Sequence, residues 1–336
     1  QLTMHEPTLA DTMPDNERLT RAIQEQLEVD TVEIPFCVME KLASTLRREQ
    51  FHVRVKGEKQ GNTFRCMEIT GAQDSVIAGC AIDIGTTTVT MVLVDLATGK
   101  ILAKGSSGNG QIRYGADVIN RIIQQAKPGG RKSLQDAIIK ETLNPIIANL
   151  CRSAGISARG ILRLCVGAST TMNHLFVGVD AEPVRMEPYI PSFFSWEGLK
   201  AGDLKLPANP LAPVIIAPNI GSYVGGDITA GTLATGLWGS DEMSLFIDLG
   251  TNGEIVFGNR DFMMSCACSA GPAFEGGDIS CGMRATDGAI EACVLDKDTM
   301  NPTLTIVGDA EQKPVGICGS GIIDIISELF RCGIIN

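Results

Sequence analysis

No run of lysine or arginine occurs anywhere in the 336 residues, and the formal net charge is −11. Proteins that bind nucleic acid regardless of sequence need clustered cations to displace counterions from the phosphates, so no nucleic-acid partner is expected. Long hydrophobic runs are missing as well. None approaches the roughly 18–20 apolar residues of a bilayer-spanning helix, and the amino terminus is polar and acidic rather than signal-like. No membrane association is expected. The eleven cysteines are odd in number and mostly sit within apolar strands, which is not the pattern of a disulfide framework. A reducing cytoplasm is the expected setting. Glycine is the residue in excess, with 37 of 336 residues or about 11%, against a usual ~7%. These glycines lie beside strands, as tight turns or close backbone approach to a ligand require.

Residues 1–21 are polar, carry Pro7 and Pro14 and show no periodic apolar face, so 1–28 reads as an extended linker. A chain that opens on Gln is expected to be a piece of something longer. From Val29 a small α/β domain is expected to run to residue 75. Pro35 suits the first turn of a helix whose Val38, Leu42 and Leu46 recur at helical spacing. Residues 51–55 and 63–69 then alternate as half-buried strands.

Residues 76–336 divide into two related halves, a first lobe at about 76–225 and a second at about 240–336. In the first, strand 77–84 is followed by the turn 85–88, strand 89–95, a hairpin turn at 97–100 and strand 101–106. In the second, strand 243–248 is followed by the turn 249–253, strand 254–258, a turn at 259–261 and strand 262–268. Between them a long helix is expected through Leu134, Ile138, Leu143, Ile146, Ile147 and Leu150. Strand 161–166, strand 214–217 and an Ala- and Gly-rich helix at 227–237 follow. A last helix covers 322–331. A duplicated unit predicts two similar lobes facing each other across a cleft.

The chemistry concentrates in the repeated turn. Asp83-Ile-Gly-Thr-Thr-Thr88 and Asp248-Leu-Gly-Thr-Asn-Gly253 each place a carboxylate at a strand end before a turn of small residues. Glycine lets a backbone approach phosphate oxygens, and successive N–H groups form an anion-binding concavity. The Thr86, Thr87 and Thr251 hydroxyls and Asn252 add donors. A carboxylate facing polyphosphate repels it unless it holds Mg²⁺, directly or through water, so Asp83 and Asp248 are the candidate metal carboxylates. One such turn is also what an ordinary hairpin with an Asx turn contains. Two copies, each followed by the same strand–turn–strand pattern, favour a nucleotide.

These features resemble the superfamily of acetate and sugar kinases, heat-shock chaperone ATPases and actin. The resemblance implies an α/β fold of duplicated ribonuclease-H-like lobes that binds ATP and Mg²⁺. Gly85, Thr86, Thr87 and Thr88 would form the first phosphate loop, and Gly250, Thr251, Asn252, Gly253 and Glu254 the second. Thr229-Ala-Gly-Thr-Leu-Ala-Thr-Gly-Leu237 resembles the chaperones' connecting helix, and Asp227 falls where they carry the carboxylate that orients the attacking water.

Within that superfamily, five phrases resemble the reductive activators of corrinoid proteins. They are Glu6-Pro-Thr-Leu-Ala-Asp11 with Asp15-Asn-Glu-Arg18, Tyr114-Gly-Ala-Asp-Val-Ile-Asn-Arg121, and Gly167-Ala-Ser-Thr-Thr-Met-Asn-His174. The other two are Cys268-Ser-Ala-Gly-Pro-Ala-Phe-Glu-Gly276 and Gly316-Ile-Cys-Gly-Ser-Gly-Ile-Ile-Asp324. The resemblance implies an ATPase that couples nucleotide use to reduction of a Co(II) corrinoid protein or corrinoid methyltransferase in anaerobic methyl transfer. It also implies a homodimer, with Gly319 and Ser320 on the adenine side of the cleft. The C-x₄-C-x₂-C spacing of a plant-type [2Fe–2S] domain is absent, so that centre is expected only in an amino-terminal domain outside this chain. The family's later glycine-rich adenosine-contacting segment is absent too.

Three weaker features complete the reading. Cys266, Cys268 and Cys281 read as buried small residues rather than as a metal site, because no fourth soft ligand stands at suitable spacing. His174 is assigned to a helix cap alongside Ser169, Thr170 and Thr171, with contact to a corrinoid partner as the alternative. Asp117 and Arg121, one turn apart, read as a surface pair. A small-molecule kinase on the same fold, a non-catalytic nucleotide-dependent module and an activase of acyl-CoA dehydratases stay open as alternatives.

Overall fold

The computed structural model describes residues 1–250, 252–269, 279–283, 285–308 and 312–336. It divides into two compact units, Gln1–Asp227 and Ile228–Asn336.

The first unit begins with β1 (Leu2–Thr3), α1 (Asp15–Leu27), β2 (Thr31–Glu33), α2 (Phe36–Arg48), β3 (His52–Gln60) and β4 (Thr63–Gly71). The sheet order is β1-β3-β4-β2. The expectation of an extended stretch at the amino terminus does not hold. β1 pairs antiparallel with β3, and α1 is a thirteen-residue helix that buries Leu19 and Ile23 in the core shared with Val38, Leu42 and Leu46. Two features hid it. Pro14 occupies the cap position, where the ring's fixed φ starts a helix rather than breaking one. The apolar stripe is also narrow, and the nearly buried Arg18 completes it by pairing with Asp11 at 2.7 Å.

A second sheet follows, built from β5 (Ala78–Ile84), β6 (Thr88–Asp95) and β7 (Ile101–Gly108). Helices α3 (Val118–Gln125), α4 (Gly130–Ile138) and α5 (Asn144–Ala154) lead to β8 (Ile161–Ala168), α6 (Thr170–Val177), α7 (Glu182–Arg185) and β9 (Val214–Ile216). The strand order is β7-β6-β5-β8-β9. β5, β6 and β7 form an antiparallel meander, while β8 and β9 run parallel to β5 and beside it in turn. The long helix expected through 134–150 is interrupted by a π turn at Ile139–Leu143, and Pro145 lies in the first turn of α5. Leu134, Ile138, Leu143, Ile147 and Leu150 nonetheless all reach the core beneath the sheet. β5 alternates strictly at its end: Cys80, Ile82 and Ile84 are buried, while Ala81 and Asp83 face outward.

Polar contacts fasten the small sheet to the larger one. Glu68 pairs with Lys41 and accepts from Asn209 Nδ2 at 3.2 Å. Arg163 pairs with Glu58 at 2.6 Å, and the buried Lys56 pairs with Asp74 and donates to the Val76 carbonyl.

α8 (Gly226–Thr235) carries the chain into the second unit. There β10 (Ser244–Leu249), β11 (Asn252–Gly258) and β12 (Met263–Ser269) form an antiparallel meander, as the repeat predicts. A further segment follows, for which the repeat predicts no element. It forms β13 (Ala289–Leu295), β14 (Pro302–Ile306) and β15 (Gly316–Ile317), a small sheet carrying α9 (Gly319–Arg331). No described helix is long and apolar enough to cross a membrane.

Leu19→Ala separates a folded helix from a tether. Removing a fully buried leucine side chain is expected to cost about 2–5 kcal/mol, read by urea denaturation, whereas the same change in an extended linker stays within about 0.5 kcal/mol.

Candidate functional site

Asp83 lies across β5–β6 from Thr90 and beside Gly167 on β8, on the open face of the sheet. The chain then turns through Gly85, Thr86 and Thr87 into β6. A Cβ at Gly85 would stand 2.6 Å from the Thr88 carbonyl oxygen, so no larger residue fits without opening the turn. Thr88 is exposed at the start of β6.

Three consecutive carbonyls of this turn are taken from below. Asn109 Nδ2 donates to Gly85 O at 2.8 Å, Arg121 Nη2 donates to Thr86 O at 2.5 Å, and the Asn109 backbone N–H donates to Thr87 O at 2.8 Å. Asn109 is held in turn by accepting from the Gln111 N–H, and Gln111 by donating to Leu134 O, both at 2.9 Å. The expectation of a surface pair at Asp117 and Arg121 is therefore overturned. Arg121 is completely buried and also donates to Gly115 O, Gln111 Oε1 and Met172 Sδ. Asp117 instead caps α3, accepting from the Asn120 N–H at 2.8 Å. The i,i+4 spacing was real, but Arg121 shares the buried face of α3 with Ile122 and Gln125.

Asp227 occupies the first turn of α8. Its approach is set by Gly225, where a Cβ would meet Ser169 Cα at 2.4 Å and Ala168 O at 2.6 Å. Since Ala168 pairs with Ile84, the Asp83 turn and Asp227 lie at the same end of the sheet. α6 contacts both neighbourhoods. Met172 receives Arg121, and Asn173 donates to Asn219 Oδ1 at 2.8 Å, which also accepts the Gly226 N–H at 3.1 Å.

In the second unit, Asp248 and Glu254 face each other across the β10–β11 hairpin, and the Gly250 N–H donates to Asn252 O at 2.9 Å. Gly253 is buried beside them. Burial pushes the Asp248 carboxyl above its ordinary value. Carboxylate oxygens are the hard donors that Mg²⁺ takes, so this cross-strand pair fits that ion. Thr251 and most of the 268–276 phrase lie outside the described residues. Gly319 and Ser320 open α9, with Ser320 Oγ 3.2 Å from the Sγ of Cys318 at the cap position.

The remaining expectations divide. Cys266, Cys268 and Cys281 are exposed, not buried. Among the described residues no group of three His, Cys, Asp or Glu is placed to hold a metal ion. Ser169 caps α6, accepting from the Met172 N–H at 3.4 Å. His174 does not cap. It is wholly buried and bonded on both ring nitrogens, to Thr170 O at 2.7 Å and to the Ser192 N–H at 3.1 Å, and it stacks on Phe193. Burial lowers its pKa.

The meander-plus-parallel sheet with its acidic turn is of the actin-like fold class. Family models described as the RACo linker region, the RACo middle region and the C-terminal, ASKHA domain of RACo match residues 1–73, 78–240 and 242–336. The chain belongs to the RACo family. It is 38% identical over 288 residues to the corrinoid activation enzyme RamQ of Eubacterium limosum, covering 85% of this chain and 47% of that protein. A Methanosarcina barkeri reductase of a Co(II) methylated amine-specific corrinoid protein is 30% identical over 141 residues, 37% of this chain and 26% of that protein. A solved reductive activator for a corrinoid, iron–sulfur protein superposes with a TM-score of 0.84 at 43% identity, over 100% of this chain and 53% of that one. The chain thus spans about half the length of RamQ and of that activator.

His174 yields a pH test. Its folded pKa lies below the unfolded value of about 6.5, so the unfolded state binds the extra proton. Stability is full above about pH 6.5 and declines as pH falls toward the lowered folded value. Melting temperatures between about pH 7.5 and 5 are expected to drop more steeply for the native protein than for His174→Gln, which itself loses about 1–3 kcal/mol at neutral pH.

Proposed function

We propose that this chain is the nucleotide-binding part of an ATP-dependent reductive activator, which drives reduction of a corrinoid protein or corrinoid methyltransferase from Co(II) to Co(I). The observation that carries the reading is that the Asp83 turn and the start of α8, where Asp227 stands, lie at one end of the first unit's sheet. Phosphoryl transfer calls mainly for positioning and charge stabilisation. Gly85, Thr86, Thr87 and Thr88 hold phosphates, with Thr251, Asn252 and Gly253 as their counterparts. Asp83 and Asp248 would be the carboxylates for Mg²⁺, directly or through its water, with Glu254 across the hairpin from Asp248, and Asp227 would orient the attacking water. Gly319 and Ser320 border the adenine. Mg²⁺ supplies neutralisation of the phosphate charge.

The electron comes from a [2Fe–2S] centre carried outside these residues. Such a cluster, when present, would supply the single electron that takes the substrate Co(II) to Co(I). That step is uphill, and nucleotide use is coupled to it by favouring one state of the complex. Inverting a 1:99 equilibrium to 99:1 takes about 5.5 kcal/mol of differential binding. The protein acts in the cytoplasm as a homodimer.

The test uses the full-length protein with a corrinoid partner and a reductant. Mg·ATP hydrolysis and the Co(I) absorbance are followed together. Asp227→Ala is expected to slow hydrolysis by about 10²-fold or more while Mg·ATP still binds, and Asp83→Ala to weaken Mg·ATP binding itself. Unchanged hydrolysis in both variants would sink the assignment.

A further inference from the structure

The buried side of the Asp83 turn carries an arrangement with its own consequence. The outer face of a phosphate loop must present little negative charge, yet every peptide has a carbonyl oxygen as well as an N–H. Here the oxygens of Gly85, Thr86 and Thr87 are all occupied from beneath by Asn109 and Arg121. With its oxygens so engaged, the turn has less partial negative charge on the side where an anion approaches. Arg121 also brings a full positive charge directly under Thr86, in a setting that screens it poorly.

We infer that Arg121, seconded by Asn109, is a positioning residue for the nucleotide: it holds the Gly85–Thr87 carbonyls inward and so makes the turn receptive to a polyphosphate. The inference rests on the function proposed above. Arg121 itself touches no ligand. Its planar fork reaches Thr86, Gly115, Gln111 and Met172 together, a set of directions that the single ammonium of lysine does not reproduce. The same fork ties the turn to α6, whose next residue, Asn173, leads through Asn219 to the start of α8. Arg121 thereby sets where the turn stands relative to Asp227.

The experiment compares four full-length proteins by titration calorimetry: native, Arg121→Lys, Asn109→Ser and Leu19→Ala. Arg121→Lys keeps the buried charge, and Leu19→Ala lowers stability from the small sheet without touching the turn. Each is titrated with Mg·ATP and with adenosine, which lacks phosphates. Arg121→Lys is expected to weaken Mg·ATP about tenfold or more, as loss of a charged hydrogen bond does, and Asn109→Ser to weaken it by a smaller factor. Adenosine binding stays within twofold throughout, and Leu19→Ala matches the native protein for both ligands. Equal Mg·ATP affinity in Arg121→Lys and the native protein overturns the inference. So does a parallel loss of adenosine, which marks a general structural defect. If Arg121→Lys does not fold, Asn109→Ser decides by the same ratio. A native protein that binds no Mg·ATP overturns the proposed function as well, a result distinct from failure of the variants alone.

Discussion

A guanidinium sealed under a turn is the constraint around which the first unit is arranged. Burying a charge is costly unless its donors are satisfied. Arg121 meets that demand with two backbone carbonyls, an amide oxygen and a thioether sulfur drawn from three separate segments. Each segment is fixed by the others, because moving any one strands a donor. The turn after Asp83 therefore inherits its shape from residues far along the chain.

α6 extends the same logic across the sheet end. Its first turn is capped by Ser169, its second and third residues after the start, Met172 and Asn173, face Arg121 and Asn219, and His174 ties it to the segment at Ser192. One short helix so links the turn that follows β5 to the helix that follows β9. The small amino-terminal sheet is fastened to this assembly by hydrogen bonds of the buried Glu68 to Asn209 and of the buried Lys56 to the Val76 carbonyl, rather than by a chain connection alone.

Much of this was legible in the residues. The doubled Asp-x-Gly-Thr turn with its flanking strands located both meanders, because alternation and turn chemistry are local signals that the tertiary structure did not override. The buried polar network was not legible. Nothing in the spacing of Asp117 and Arg121 tells a solvent-facing pair from a cap and a buried cation, since both lie four residues apart on a helix. The helix carrying Leu19 was hidden by its proline cap and sparse apolar positions. Cys266 and Cys268 misled in the opposite direction: small apolar side chains suggested a core, but the three-stranded meander leaves that strand exposed. The sheet of β13–β15 escaped because it lies outside the repeated strand–turn–strand pattern and carries a bulge between Ile290 and Ala292.

That small sheet has a guarded border. β15 pairs with β13 only at Ala289 and Ile290. Beyond them the Cys293 and Leu295 amides are taken by Asp324 Oδ2 and Glu328 Oε2 of α9, at 2.6 and 2.7 Å. An open strand border is a template for a second chain, and here two carboxylates stand where such a chain would add. Glu328, held to about 2 by its bond to Arg331 and by the Leu295 amide, keeps its negative charge well into acid. The helix thus denies the Cys293 and Leu295 amides to any added strand.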